Sequence, residues 1–282
     1  MQQGIQGLDG WVAFLSKADI PVLKRTAREL TALQQEADKL SARGVAEVIS
    51  RDPLMTVKLL RYLQSHKHRS QTSEVIVVEQ ALMMLGLDVF FSKTPASPLV
   101  ETELHTHLDA LTQLLHVVRR AQRASNYARE WAVLHLHDMR YEEIRIATLL
   151  HDLAEMLMWC FEPAAMLQIR AIQQQDKALR SRAVQEQVLG FALADLQHAL
   201  TTAWDLPELL LMLMDDDQSR KPRVRNVTLA VNLARHSANG WDDAALPDDY
   251  TDIGELLRMP AAEVMAMVAT DAGVACDLTR PH

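Results

Sequence analysis

Apolar residues recur along this chain three and four positions apart, the period that lays one face of an α-helix against a core. Between Pro21 and about Leu40 they fall at Leu23, Ala27, Leu30, Leu33, Ala37 and Leu40. The stretch GVAEVISRDPLMTVKLLRYLQS then predicts two helices, Val45–Ser50 and Pro53 to about Leu63. Asp52 followed by Pro53 marks the second start, because the carboxylate can cap free amides and the ring is preset for the first helical position. HKHRSQTS (66–73) reads as a polar loop. VVEQALMMLG (77–86) predicts a helix that Gly86 ends in the left-handed region. The β-branched run VIVV at its front lacks the polar alternation of a strand, so helix is the expectation there too. Helical spacing resumes at 104–131, 141–159, 163–175, 182–203, 207–214 and 222–238. An acidic loop, DDAALPDDYTD, precedes a helix in which Asp252 and Glu255 stand like a capping box, and Met259-Pro260 breaks that helix to open the last one.

The pattern predicts an all-α protein of two helical subdomains. The prolines and small residues of SKTPASP (92–98) suggest a boundary or hinge, which divides the chain into residues 1–96 and 97–282. Composition agrees. Hydrophobic residues make up 49% of the 282 but aromatic ones only 5%, so the core is aliphatic, and nine glycines with ten prolines leave long elements and short connections.

Charge narrows the function. A net charge of −8 offers no basic stripe to release counterions from a phosphate backbone, so no nucleic-acid partner is expected. RKPRVR (220–225) is the densest basic stretch and reads as a solvated loop before a helix. The most apolar window, VIVVEQALMMLGLDVFF, is interrupted by Glu79 and Asp88, which argues against a membrane span. Two cysteines, Cys160 and Cys276, make no disulfide framework, and MQQGIQGLDG has no signal-peptide pattern, so a cytoplasmic protein is expected. No nucleophile elbow and no phosphate-cradling glycine loop is present.

The chemistry concentrates in LLHDLAEMLM (149–158), where His151 and Asp152 interrupt an apolar run. Burying such a pair without partners is costly, so it marks a metal site or the remnant of one. Two ligands on one helix cannot hold a divalent ion alone, and others must come from elsewhere. His116 on LLHVVRRAQRA, with Asn232 and His236 on LAVNLARHSA, are the candidates. Other groups read more plainly. HLHD (135–138) is a loop with Asp138 capping the next helix; ELHTH (103–107) is a solvated face; His66 and His68 share a polar loop with Lys67 and Arg69. Asp215–Asp217 is a solvated helix end, and the methionine pairs (83 and 84, 156 and 158, 212 and 214, 265 and 267) are core filler.

A His on one helix, then His-Asp, then a late-helix acid is the pattern of the HD superfamily of metal-dependent phosphohydrolases. The order of segments more closely resembles the HDOD family, the HD-related output domain of bacterial signalling proteins. IPVLKRTAREL, VAEVISRDPLMTVKLLRYLQS, VVEQALMMLGLDV, IATLLHDLAEMLM and LGFALADLQHALTTAWDLPELL carry that resemblance over most of residues 20–240. It implies a helical domain whose second part is HD-like, with His116, His151, Asp152 and Asn232 at the metal-binding positions.

The departures decide what such a site could do. The late acid falls on Asn232, a neutral amide, a poorer partner for a divalent ion. Where catalytic relatives continue the dyad to a phosphate-binding Lys, this chain has Glu155, which repels phosphate. The extra histidines of some relatives fall near Asp215–Asp217, and the Asn that closes the leucine-rich signature is Gln64. The resemblance therefore implies a non-catalytic signal-transduction or regulatory output module with a degenerate metal site, working through protein partners or a small ligand. No cofactor is expected. The alternative is a phosphohydrolase or phosphodiesterase acting on nucleotides or cyclic dinucleotides with Mn, Fe or Mg. In the non-catalytic case His151 and Asp152 bond each other or His116 in a buried polar cluster.

Overall fold

The computed structural model describes residues 5–36, 40–67, 74–176, 179–238 and 240–271. Among them the secondary structure is helical, and the sole β feature is an isolated bridge between Val22 and Leu99. In chain order the first helices are α1 (Gly7–Leu15), α2 (Lys24–Gln35), α3 (Ala42–Ile49), α4 (Pro53–Ser65), α5 (Val78–Leu85), α6 (Leu87–Lys93), α7 (Val100–Glu103) and α8 (Leu108–Glu130). The chain continues with α9 (Tyr141–Leu150), α10 (Leu153–Phe161), α11 (Pro163–Gln175), α12 (Ser181–Leu189) and α13 (Leu193–Ala203). It closes with α14 (Glu208–Leu213), α15 (Pro222–Ser237), α16 (Leu246–Leu257) and α17 (Ala261–Asp271). The all-α class expected from the spacing holds.

Two compact units emerge from the packing, interleaved in sequence: residues 1–118 with 152–211, and residues 119–151 with 212–282. In the first, α4 carries the centre, with Leu54, Met55, Val57, Leu59 and Leu60 all fully buried. Asp52 starts this helix as the Asp-Pro pair predicts, accepting from the amides of Leu54 (2.9 Å) and Met55 (3.1 Å). Its other oxygen accepts from the Leu23 amide at 3.0 Å, so one carboxylate fixes the starts of α2 and α4 together. Burial pushes this carboxyl up, and the amides of Leu23, Met55 and Leu54 with the Thr26 hydroxyl oppose it. Two turns on, buried Lys58 reaches Asp19 Oδ1 at 2.6 Å, Ile20 O at 3.2 Å and Ser97 O. SKTPASP is thereby fastened to the chain before α2, and the amide of Val22 adds a bond to Pro98 O at 2.9 Å. Arg61 closes the end of α1, donating to Leu15 O (3.1 Å) and Ala18 O (2.9 Å) with its guanidinium over the Trp204 ring.

The second unit packs α15 against α9 and α16, and α16 against α17. Val224, Val227, Ala230, Leu233 and Ala234 of α15 are buried with Ile144, Ile146, Ala147, Leu246, Ile253 and Val264. Fully buried Asn226 donates to Ala128 O at 3.0 Å, and the Ser125 hydroxyl to Arg145 O at 3.0 Å.

Several expectations are corrected by the backbone. The helix expected at 141–159 is two helices, α9 and α10, with His151 and Asp152 forming the turn between them. Apolar spacing runs through both, although α9 packs on α15 within the second unit and α10 on α13 within the first. The break shows only in the backbone, where Asp152 takes φ −101° and ψ 28°. The run at 182–203 is likewise divided, because Gly190 ends α12 in the left-handed conformation at φ 85°. Val75, Ile76 and Val77 are not helical: Val77 is extended, and α5 begins only at Val78. Buried Val75 and Ile76 supply apolar contacts there without regular structure. Asp252 and Glu255 are no capping box, since α16 starts at Leu246 with Pro247 in its first turn and takes in part of the acidic stretch. The loop expected at 66–73 lies mostly outside the described residues, as do His68 and Cys276.

Candidate functional site around the His-Asp turn

His151 leaves α9 in helical geometry (φ −57°, ψ −39°), and Asp152 stands at the start of α10 without capping it by its side chain. The first turn of α10 still needs an acceptor. Gln197 of α13 supplies it, its Oε1 accepting from the Ala154 amide at 2.7 Å. A glutamine in LGFALADLQHALTTAWDLPELL thus does what the Asp152 side chain does not.

The His151 imidazole is 10% exposed and lies with Nε2 3.3 Å from Asp216 Oδ1. Asp216 belongs to a short 3-10 turn, Asp216–Gln218, whose start is capped by Asp215, which accepts from the Asp217 amide at 3.1 Å. The same Asp216 oxygen accepts from the Thr228 hydroxyl of α15 at 2.7 Å. Partial burial raises the Asp216 carboxyl, but the hydrogen bond and charge of His151, then Thr228 and Arg235, outweigh it. The group therefore sits below the ordinary carboxylate range. Thr228, Asn232 and Arg235 fall three and four apart, so they share one face of α15.

Half-buried Asn232 lies one turn from Thr228 on α15, in the same unit as His151 and Asp216. His116 is on the first unit's portion of α8 with an exposed side chain. His236 turns to Asp249 of α16, with Nδ1 2.7 Å from Oδ2. Among the described residues, no three His, Cys, Asp or Glu side chains are grouped so as to hold a metal ion.

Sequence reasoning missed Asp216. It read Asp215–Asp217 as a solvated end, because a run of like charges usually is one. A bond of His151 that sequence reasoning did not anticipate goes to Asp216, 65 residues away. The available signal was the position of that run after the Leu-Pro segment, where relatives place extra histidines.

The other readings fare unevenly. Asp138 does not cap α9, whose N-cap is Arg140 without a side-chain cap bond; it accepts from the Arg140 amide at 2.8 Å in the turn before the helix and lies 2.9 Å from Arg223 Nε. Arg223 pairs further with Glu143 (2.8 Å), and Arg225 with Glu255 (2.7 Å), so the two arginines around Val224 are spent inside the unit. His105 bonds Thr102 O at 2.7 Å on an exposed face, and His66 stacks on Tyr62. Met156 and Met158 are buried as expected, but Met83 and Met84 are exposed and not core filler. Burial pushes the Cys160 thiol far up, so it is no nucleophile.

The sequence model of the HDOD domain matches residues 20–219, well over half of the chain. The protein belongs to the HDOD family. Solved structures share the fold. A virulence factor from Campylobacter jejuni subsp. jejuni is 16% identical over 97% of this chain and 95% of its own, with a TM-score of 0.63. The MmoQ response regulator from Methylococcus capsulatus str. Bath is 17% identical over 86% of this chain and 99% of its own, with a TM-score of 0.61. No curated protein sequence matches. No helix among the described residues is long and apolar enough to cross a membrane.

Proposed function

We propose that this HDOD protein is a non-catalytic regulatory output module that works by binding a protein or small-ligand partner. The observation that carries this reading is the engagement of His151 by Asp216, itself held by Thr228. A metal-ligating imidazole needs its nitrogen lone pair directed at the ion. Here Nε2 faces a carboxylate of its own unit, which favours a proton on that nitrogen. Two substitutions in the chain support the same reading: Asn232 offers an amide where the HD pattern has an acid, and Glu155 brings negative charge where phosphate-binding relatives have Lys. A phosphoryl transition state spreads charge over its oxygens and needs cations, not a carboxylate, beside it.

The test is metal analysis of chelator-free protein, followed by a phosphatase and phosphodiesterase screen with Mn²⁺. The expected result is substoichiometric metal and hydrolysis indistinguishable from that of His151→Ala. Stoichiometric metal whose removal abolishes hydrolysis would overturn the reading and make the chain an enzyme.

A further inference from the structure

Three features converge on residues 131–140 of the second unit: a π turn with its closing bonds, a positive φ and exposed apolar side chains. The α8 helix does not end in a normal cap but widens into a π turn, Trp131–His135, a distortion frequent at functional sites. His137 holds a positive φ of 51°, a conformation that costs energy in a residue other than glycine. The Leu136 amide bonds Trp131 O at 2.9 Å and the Asp138 amide bonds Ala132 O at 2.8 Å, so the segment closes tightly on itself. Trp131 and Ala132 are buried, but three other apolar side chains of the segment face solvent: Met139 is 91% exposed, Leu134 65% and Val133 36%. Met139 is the most exposed of the large apolar residues described.

The charges around this knob are sorted. Asp138 and Glu143 are taken by Arg223, and Glu142 lies 3.1 Å from Arg145. The Arg140 guanidinium and the imidazoles of His135 and His137 have no carboxylate partner among the described residues. What remains outward is apolar, with the exposed Arg140 guanidinium next to Met139 in the chain.

Building on the regulatory reading, we infer that Val133, Leu134 and Met139 with Arg140 form the surface that docks a partner protein, inserting into an apolar cleft rimmed by carboxylates. Projecting apolar residues bury the most area in a concave partner, and an Arg at the edge gains most from an acid that the unit itself does not supply. A second copy of the chain is the competing occupant.

A photo-crosslinking amino acid at position 139 of the full chain, expressed in its native cells, tests this, with position 108 (Leu108 is also 65% exposed) as control. The expected product is one heterologous protein whose cross-linked peptide is apolar and carries Asp or Glu. Leu134→Asp should reduce its yield about tenfold or more, as for a central interface anchor. Arg140→Glu should reduce it too, and a Lys at the partner's facing acid should restore it. Circular dichroism and melting of both variants should match the parent. Adducts to a second copy, yields no greater than at position 108, or a yield indifferent to both variants would overturn the assignment. If in that case the protein still lacks metal-dependent hydrolysis, the surface is wrong and the regulatory reading stands; if it hydrolyses phosphoesters, that reading has failed separately.

Discussion

Replacing Asp52 tests whether one side chain holds the starts of two helices. In Asp52→Ala the amides of Leu54 and Met55 lose their cap, worth about 1–2 kcal/mol in comparable helices. The Leu23 amide, bonded to the other oxygen, is left as a buried donor without its acceptor, at about 1–3 kcal/mol. The two losses fall on separate atoms of the same carboxylate, so they add to about 2–5 kcal/mol, with about 3 as the central value. Asp52→Ser separates them, because a hydroxyl can cap Leu54 or Met55 but is too short to serve Leu23 as well. The Ser variant should recover the capping share and lose only the Leu23 share, about 1–3 kcal/mol. Urea denaturation followed by circular dichroism measures all three proteins, with equal slopes required before midpoints are compared. An Ala variant within about 1 kcal/mol of the parent, or a Ser variant as unstable as Ala, would refute the two-helix role.

Other consequences are more compact. Lys58→Met should cost about 2–4 kcal/mol by urea denaturation, because Ile20 O and Ser97 O lose their shared donor while the exposed Asp19 is solvated. Gly254→Ala should lower the melting temperature through the second unit, since an added Cβ would lie 2.7 Å from Met259 O, a backbone atom that cannot step aside. A loss of about 1–3 kcal/mol is the scale for such overpacking. Burial raises the Asp249 carboxyl, with His236 opposing and Asp243 and Asp252 adding to the rise. A carboxyl raised in the fold contributes stability below its unfolded value, near 4, and loses it as pH climbs through the folded value. The urea midpoint of Asp249→Asn should therefore lack the decline that the parent shows over that window; identical pH profiles would contradict this.

Helix content was legible because it depends on local period and local chemistry. Asp52-Pro53 announces a start through a side chain two and three residues from the amides it caps, and Gly86 announces an end through its positive φ. Misreadings occurred where a local signal was ambiguous. VIVV was apolar in either state, and Asp252 with Glu255 matched a cap motif inside a helix already running from Leu246. The turn at His151-Asp152 was hidden because apolar residues recur at helical spacing on both sides of it.

By itself the sequence determined the all-α class, most helix positions and the side-chain chemistry at the positions compared with the HD pattern, since residue identity alone settles whether a group is an amide or an acid. Only the tertiary structure decided which groups meet. Gln197 serves the α10 start from 43 residues away, and Asp216 faces His151 from 65. Such pairings follow from how helices dock, and the residues between two partners do not encode the distance that will separate them.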